Sequence, residues 1–405
     1  MLEFIVALLV VLLLARLTGE AFRRLHQAPL IGEVLVGILL GPSVLAWIDP
    51  SPADPTGAAI GVVATLGILF LVLTAGIEVG REGLRQAFRE GTAIVAAVEF
   101  AFPFALGYLL GSGLGLPLLT SLFLATGMAV TALPVSVRIL MDLELLTTKL
   151  GRAIVSVAMA NDVLAFSLLA VLLALAGAVG SPVPVNDIAL GIAKVFAFVG
   201  FVYCVGWLLR QREPSGRGGR PWLAVLVSKL RSPEAGFATV LVAALGMGVV
   251  AEGLGLHFAI GVFYAGIFLT RETLGEGHFL LMRNTTMAVG MGFLAPVFFA
   301  YVGLKVSFAV TDWTLVLLVT SVAFVGKVWG GVMGGYAAGF RGRVLAALGV
   351  GLNARGMMEL LLAEVGLAAG IIGQDLYAAI VIMTLVTTLA APLLVKALIK
   401  GQALE

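Results

Sequence analysis

The sequence predicts an all-α, polytopic membrane protein of about 13 transmembrane helices, and three observations carry that prediction. Hydrophobic residues make up 60% of the 405-residue chain and charged residues only 12%, whereas soluble globular chains carry about a quarter charged residues. Apolar runs long enough to cross a bilayer, at about 20 residues each, recur from Leu2 to Leu398 with short connections. The Lys and Arg residues gather in every second connection. Backbone polar groups cannot be left unpaired in lipid, so the runs should be helices; the alternating pattern of a membrane barrel is absent.

In chain order the spans fall at 2–17, 29–47, 60–79, 91–111, 117–140, 149–178, 187–210, 235–251, 256–270, 284–304, 313–339, 344–369 and 376–398. The first is expected to be a span and not a cleaved leader, because Glu3 to Leu14 lacks a small-residue cleavage motif and further spans follow at once. Spans two, three and four each carry one acid: Glu33 in PLIGEVLVGILLGPSVL, Glu78 in LTAGIEVGREGL and Glu99 in VAAVEFAFPF. Glu33 and Glu78 lie close to span ends, where an interfacial position is expected, whereas Glu99 is mid-span and reads either as a structural partner or as a proton carrier. Span five, LFLATGMAVTALPVSVRILM, is interrupted by Pro134, which has no N–H for the Val130 carbonyl and pushes Leu133 away from helical angles. Span six carries Asn161 and Asp162, and span seven the one cysteine, Cys204, which can form no intrachain disulfide. Span eight is apolar, and span nine has His257 near its start, expected to be a packed residue. Span ten ends just before Lys305, which with Lys194 can snorkel to an interface. Span eleven holds Lys327, about 14 residues or about 21 Å from its start at Trp313. Span twelve, LAALGVGLNARGMMELLLAEVG, is interrupted by Gly349, Gly351, Asn353 and Gly356 and carries Arg355 and Glu359. Span thirteen closes the series.

Charge fixes the expected sidedness. Connections after odd-numbered spans hold Arg16, Arg23, Arg24, Arg81, Arg85, Arg89, Arg138, Lys149, Arg152, Arg210, Arg212, Arg217, Arg220, Lys229, Arg231, Arg271, Arg283, Arg341 and Arg343, and the C-terminal region adds Lys396 and Lys400. The positive-inside rule then puts these connections and the C-terminus in the cytoplasm and the N-terminus outside. No extramembrane domain fits, so the chain reads as a single transmembrane domain without a cytoplasmic nucleotide-binding or regulatory domain. The net charge of +2 gives no basic face for nucleic acid.

A carboxylate at membrane depth costs a few kcal/mol or more, which makes it a functional candidate by default. Asp162 lies about 13 residues, or about 20 Å, into its helix. No basic residue stands three or four positions away, where Ala158, Met159, Ala165 and Phe166 sit. Such a group can hold a proton or a small hard cation, which prefers oxygen ligands, but not both. Free carbonyls near Val130 and Thr131, with the Thr131 hydroxyl, would add oxygen ligands. Interrupted spans at matching places in the two halves point to inverted repeats with an ion site between broken helices. Asp162 follows the first interruption and Lys327 precedes the second, so opposite charges from the two halves would meet near the midplane. Arg355 reads as a counter-charge for helix ends and for Glu359.

The motifs together resemble the monovalent cation:proton antiporter-2 family, especially bacterial sodium/proton antiporters. The ordered series runs almost end to end: APLIGEVLVGILLGPSVL, LGILFLVLTAGIEV, the VTALPVSVRIL–NDVLAF pair, EGLGLHFAIGVFYAGI, FLAPVFFAYVGLKV, the GKVWGG–GLNARG pair and TLVTTLAAPLL. The resemblance implies a core (ion-translocation) bundle and a dimerisation bundle, two broken helices crossing beside an ion-binding aspartate, and an elevator motion of the core. Asp162 matches that aspartate, Lys327 the lysine that faces it, Thr131 the first unwound helix and Arg355 the second. Asn161 departs from the two-aspartate subgroup; Asn–Asp in this fold goes with electroneutral one-for-one exchange. Met357 stands where related chains often place an acid directly after the Arg–Gly pair.

The expected function is therefore a cell-membrane antiporter exporting Na⁺ or Li⁺ in exchange for H⁺, working as a homodimer without cofactor or ATP, as no phosphate-cradling glycine loop is present. Asp162 and Thr131 are the expected Na⁺ ligands, with Asn161 beside them. A K⁺/H⁺ exchanger is the first alternative, a cation channel the second, and an ion-coupled symporter of organic anions the third. Three histidines, one cysteine and no clustered nucleophile leave an enzyme without support.

Overall fold

The computed structural model describes residues 1–87, 92–176, 185–208 and 235–400. The basic loop expected at 211–234 lies outside them, as do Arg89, Arg210 and most of the connection at 179–186. The described residues are helical with no strand: α1 (Leu2–Arg24), α2 (Pro29–Leu40), α3 (Pro55–Ala87), α4 (Thr92–Gly113), α5 (Leu118–Ala129), α6 (Leu133–Asp142), α7 (Lys149–Ala176), α8 (Val185–Leu208), α9 (Ala235–Gly253), α10 (Phe258–Phe268), α11 (Arg271–Leu274), α12 (Glu276–Val289), α13 (Ala295–Leu304), α14 (Trp313–Ala337), α15 (Gly342–Gly351), α16 (Met357–Ala368) and α17 (Gln374–Ile399). Nine described segments are long and apolar enough to cross a membrane, and three shorter apolar helices, Pro29–Leu40, Phe258–Phe268 and Gly342–Gly351, accompany them. Every predicted span coincides with a helix or with a pair of helices.

Several boundaries differ from the sequence reading for local reasons. The second span stops at Leu40, because Gly41 is extended at φ −82°, ψ −174° and Pro42 cannot continue a helix. The tenth begins at Glu276 and passes through a π-helical turn at Gly290–Leu294. In the fifth, Leu133 is already helical, and the interruption covers 130–132 instead, with Val130 at ψ 150° and Ala132 at ψ 116°. Pro134 thus sits in the first turn of α6, where a missing N–H costs nothing. His257 caps α10, its Nδ1 accepting from Ala259 N–H at 3.3 Å. Lys305 does not snorkel freely: its ammonium lies 2.5 Å from Glu364, and its side chain is 18% exposed.

The chain forms two compact units, one of residues 1–65, 85–165 and 296–405, the other of 66–84 and 166–295. The second unit packs Ala170, Phe198, Val202, Ala251, Leu256 and Ile260 together, and Phe166 stacks on Phe263 with ring centroids 4.1 Å apart. The first unit is built on glycine contacts that let helix backbones touch. A Cβ at Gly37 of α2 would fall 1.8 Å from the Ala300 carbonyl oxygen of α13, and one at Gly303 would fall 2.1 Å from the Val34 oxygen. Membrane helices lack a hydrophobic drive toward each other, so such small-residue faces carry the packing. Gly37→Ala is expected to destabilise the protein by about 1–3 kcal/mol, the usual cost of overpacking. Thermal unfolding in detergent checks this; an unchanged midpoint would mean that α2 and α13 are not in backbone contact.

Candidate functional site

The two interrupted spans meet. The Ala132 N–H donates to the Ala354 carbonyl at 3.0 Å, joining segment 130–132 to segment 352–356. Each break exposes backbone groups that no helix satisfies, and the side chains around them take up that role. The end of α5 offers three successive carbonyls. Arg355 donates through Nη1 to Gly127 and Nη2 to Met128, both at 2.7 Å, and Lys327 donates to Ala129. Two cations thus sit on the negative end of the α5 dipole. The positive end of α16 receives an anion, because Glu359 Oε2 accepts the Gly356 N–H at 2.8 Å. Arg355 Nη1 also lies 3.9 Å from Glu359 Oε1, and Thr388 of α17 holds the Arg355 carbonyl at 2.8 Å.

Glu99 of α4 joins the crossing to α7. Its Oε1 is 2.5 Å from Lys327 Nζ and its Oε2 accepts from Asn161 Nδ2 at 2.7 Å. The Thr131 hydroxyl stands 2.9 Å from Glu99 Oε1 and 2.8 Å from the Leu352 carbonyl, and accepts from Asn161 Nδ2 at 3.2 Å. Thr131 therefore ties the first break to the second, to Glu99 and to Asn161. Asp162 follows Asn161 on α7 and is fully buried. At the crossing, the buried amide oxygens Asn161 Oδ1 and Asn353 Oδ1 have no hydrogen-bond partner among the described residues, which leaves acceptor capacity for a hard cation.

Sequence reasoning left Glu99 undecided between structural partner and proton carrier, and did not weigh Asn353 as a ligand. A signal for Glu99 existed in α14. Gly326, Gly330 and Gly334 recur every fourth residue, and Cβ atoms built on them would come 3.2 Å from Pro103 Cα, 3.2 Å from Glu99 Cα and 2.9 Å from Val95 Cα. The small-residue ridge of α14 and the 95/99/103 face of α4 are thus in register. Lys327, next to Gly326, is carried to Glu99 by that register. Pro134 stands apart from the hydrogen-bonded cluster as a helix starter, while Gly356 lets α16 approach: a Cβ there would be 2.8 Å from Val135 Cγ2.

Comparison with known proteins follows the same outline. The sequence profile of a transmembrane sodium/hydrogen exchanger family matches residues 8–401. A Na⁺/H⁺ antiporter of Enterococcus hirae is 29% identical over 97% of this chain and 97% of its own. The Na⁺/H⁺-K⁺ antiporter GerN of Bacillus cereus is 29% identical over 97% of this chain and 96% of its own. Among solved structures, the sodium proton antiporter MjNhaP1 of Methanocaldococcus jannaschii superposes with a TM-score of 0.71 at 16% identity, covering 99% of this chain and 97% of that one. That likeness is one of fold.

Proposed function

The chain belongs to the sodium/hydrogen exchanger family, and from that membership we propose that this cation/proton antiporter exchanges one Na⁺ (or Li⁺) for one H⁺ at Asp162, without net movement of charge. The observation that carries the reading is a charge balance. Five charged side chains among the described residues have no exposure at all: Glu99, Asp162 and Glu359 against Lys327 and Arg355. Three negative and two positive charges leave an excess of one negative. Burying net charge is costly, so a site with one excess negative charge among its described residues favours one bound monovalent cation or one proton over neither. The two occupants compete for one place, and each restores neutrality. Swapping them moves no net charge.

Thr131, Asn161 and Asp162 supply oxygen ligands in this reading, while Lys327, Arg355 and Glu359 hold the two breaks in place. Alternating access is of the elevator type, with an ion-translocation core, a dimerisation bundle and a homodimer, in a cell (inner) membrane with the N-terminus outside and the C-terminus cytoplasmic. The division into two compact units and the segregated basic connections support those assignments. Exchange of K⁺ for H⁺ is the second reading, favoured by the name of the Bacillus cereus relative.

Proteoliposomes with a pH gradient and a clamped membrane potential test both. Na⁺ is expected to collapse the gradient at initial rates that differ by less than about twofold when the potential is reversed, although moving one net charge would gain or lose about 2.3 kcal/mol per 100 mV. A rate that follows the potential overturns one-for-one exchange. A K⁺ response exceeding that of Na⁺ and Li⁺ selects the second reading.

A further inference from the structure

Glu33 is a buried acid that the crossing does not use. The sequence places it near a span end, where an interfacial carboxylate is expected, yet it is only 5% exposed. It sits in a slot made by glycine: a Cβ at Gly19 of α1 would come 3.2 Å from Glu33 Oε1 and 3.5 Å from its Cγ. Beside it the helices touch through Gly32, whose Cβ would meet the Thr18 carbonyl carbon at 2.7 Å. The facing charges on α1 are Arg16 and Arg23, which act on Glu33 at a distance. Arg23 and Arg24 instead turn to the exposed Glu20, at 4.0 and 3.5 Å. A carboxylate kept in an apolar helix contact, with no close counter-ion among the described residues, is costly, and packing alone would favour an apolar residue.

Its position connects two places. Gly19 precedes the end of α1 at Arg24 by five residues, so the slot lies about 8 Å, measured along the helix, from that basic end. On α2, Leu30 is one turn from Glu33 on the same face. Leu30 Cδ2 would be 3.3 Å from a Cβ on Gly356, which would also meet Ala132 Cβ at 3.1 Å. The turn that carries Glu33 therefore abuts the second broken connection at Gly356, which itself lies against Ala132 of the first.

We propose that Glu33 is a second, transient binding station for the exchanged monovalent cation and proton, on the side of the protein that carries the basic end of α1, from which each passes to Asp162. The station rests on the antiport reading given above. A carboxylate at such a station raises the local cation concentration and the capture rate, by tenfold or more in focused clefts. Its removal thus weakens capture from one face without altering the step at Asp162.

The test uses the full chain in oriented proteoliposomes, with Na⁺ presented to one face at a time. Glu33→Gln is expected to raise the KM for Na⁺ about tenfold at the face bearing the basic end of α1. The KM at the other face and the maximal rate should stay within about twofold, and Glu33→Asp should restore the native value. Gly19→Ala, which narrows the slot while keeping the charge, should shift the same KM in the same direction and covers the case in which Glu33→Gln does not fold. Equal KM changes at both faces, a fall in maximal rate with a lowered unfolding temperature, or no change at either face would overturn the station. A native protein that exchanges no cation for protons on either face would bring down the antiport reading, and the station with it. An exchanging protein indifferent to Glu33 would bring down the station alone.

Discussion

Asp162→Asn is expected to abolish cation-dependent collapse of a pH gradient in proteoliposomes, with the initial rate for Na⁺, Li⁺ and K⁺ falling at least about 100-fold, as for a carboxylate kept at membrane depth for its charge. The substitution is nearly isosteric and changes the fully buried charges at the crossing, among the described residues, from an excess of one negative to neutrality. The mutant should therefore fold, and should no longer gain from a bound cation. A ligand that binds only the folded state stabilises it by about 2.7 kcal/mol at 100 times its Kd. The native unfolding temperature should rise with added Na⁺, and that of the mutant should stay flat. Gradient collapse that persists in Asp162→Asn, or a mutant still stabilised by Na⁺, would place the exchanged ion at another carboxylate.

Glu99→Ala carries the second large effect, this time on stability. Glu99 lies 2.5 Å from Lys327, and both side chains are wholly buried. Removing one member of such a pair leaves an uncompensated charge and costs about 3–5 kcal/mol, whereas replacing both can be nearly neutral. The Asn161 amide and the Thr131 hydroxyl lose an acceptor as well, at 2.7 and 2.9 Å. Glu99→Ala should sharply lower the unfolding temperature in detergent, and the double variant Glu99→Gln, Lys327→Met should recover most of it. A single variant as stable as the native chain would show that the pair is not what holds α14 against α4. A double variant no better than the single would mean that Glu99 acts mainly through Asn161 and Thr131.

These two residues also show how far the sequence can be read. Asp162 was legible alone: a mid-span acid with no basic residue a helical turn away is visible in a hydropathy window. The breaks were legible for the same reason, since Pro134 and the Gly349–Gly356 stretch interrupt apolar runs locally. Their details were not. Pro134 reads as the breaker, but it starts α6, and the backbone leaves the helix at 130–132 because Ala132 is held by Ala354. Glu33 reads as interfacial because only its distance from the span end is visible, and the Gly19 slot that buries it belongs to another helix.

By itself the sequence determined the membrane class, the order of the spans, their expected sidedness and the pair of interruptions. Each follows from neighbouring residues: apolar length, the alternation of basic connections, and proline or glycine within a run. Only the tertiary structure decided which charges share the site. Arg355 reaches the Gly127 carbonyl across 228 positions of chain, and Lys327 reaches Ala129 across 198. Lys327 meets Glu99 because the glycines of α14 bring its backbone onto α4. Such pairings depend on how helices pack, and packing in lipid is set by the fit of small residues on facing helices, a property of two segments together that neither carries alone.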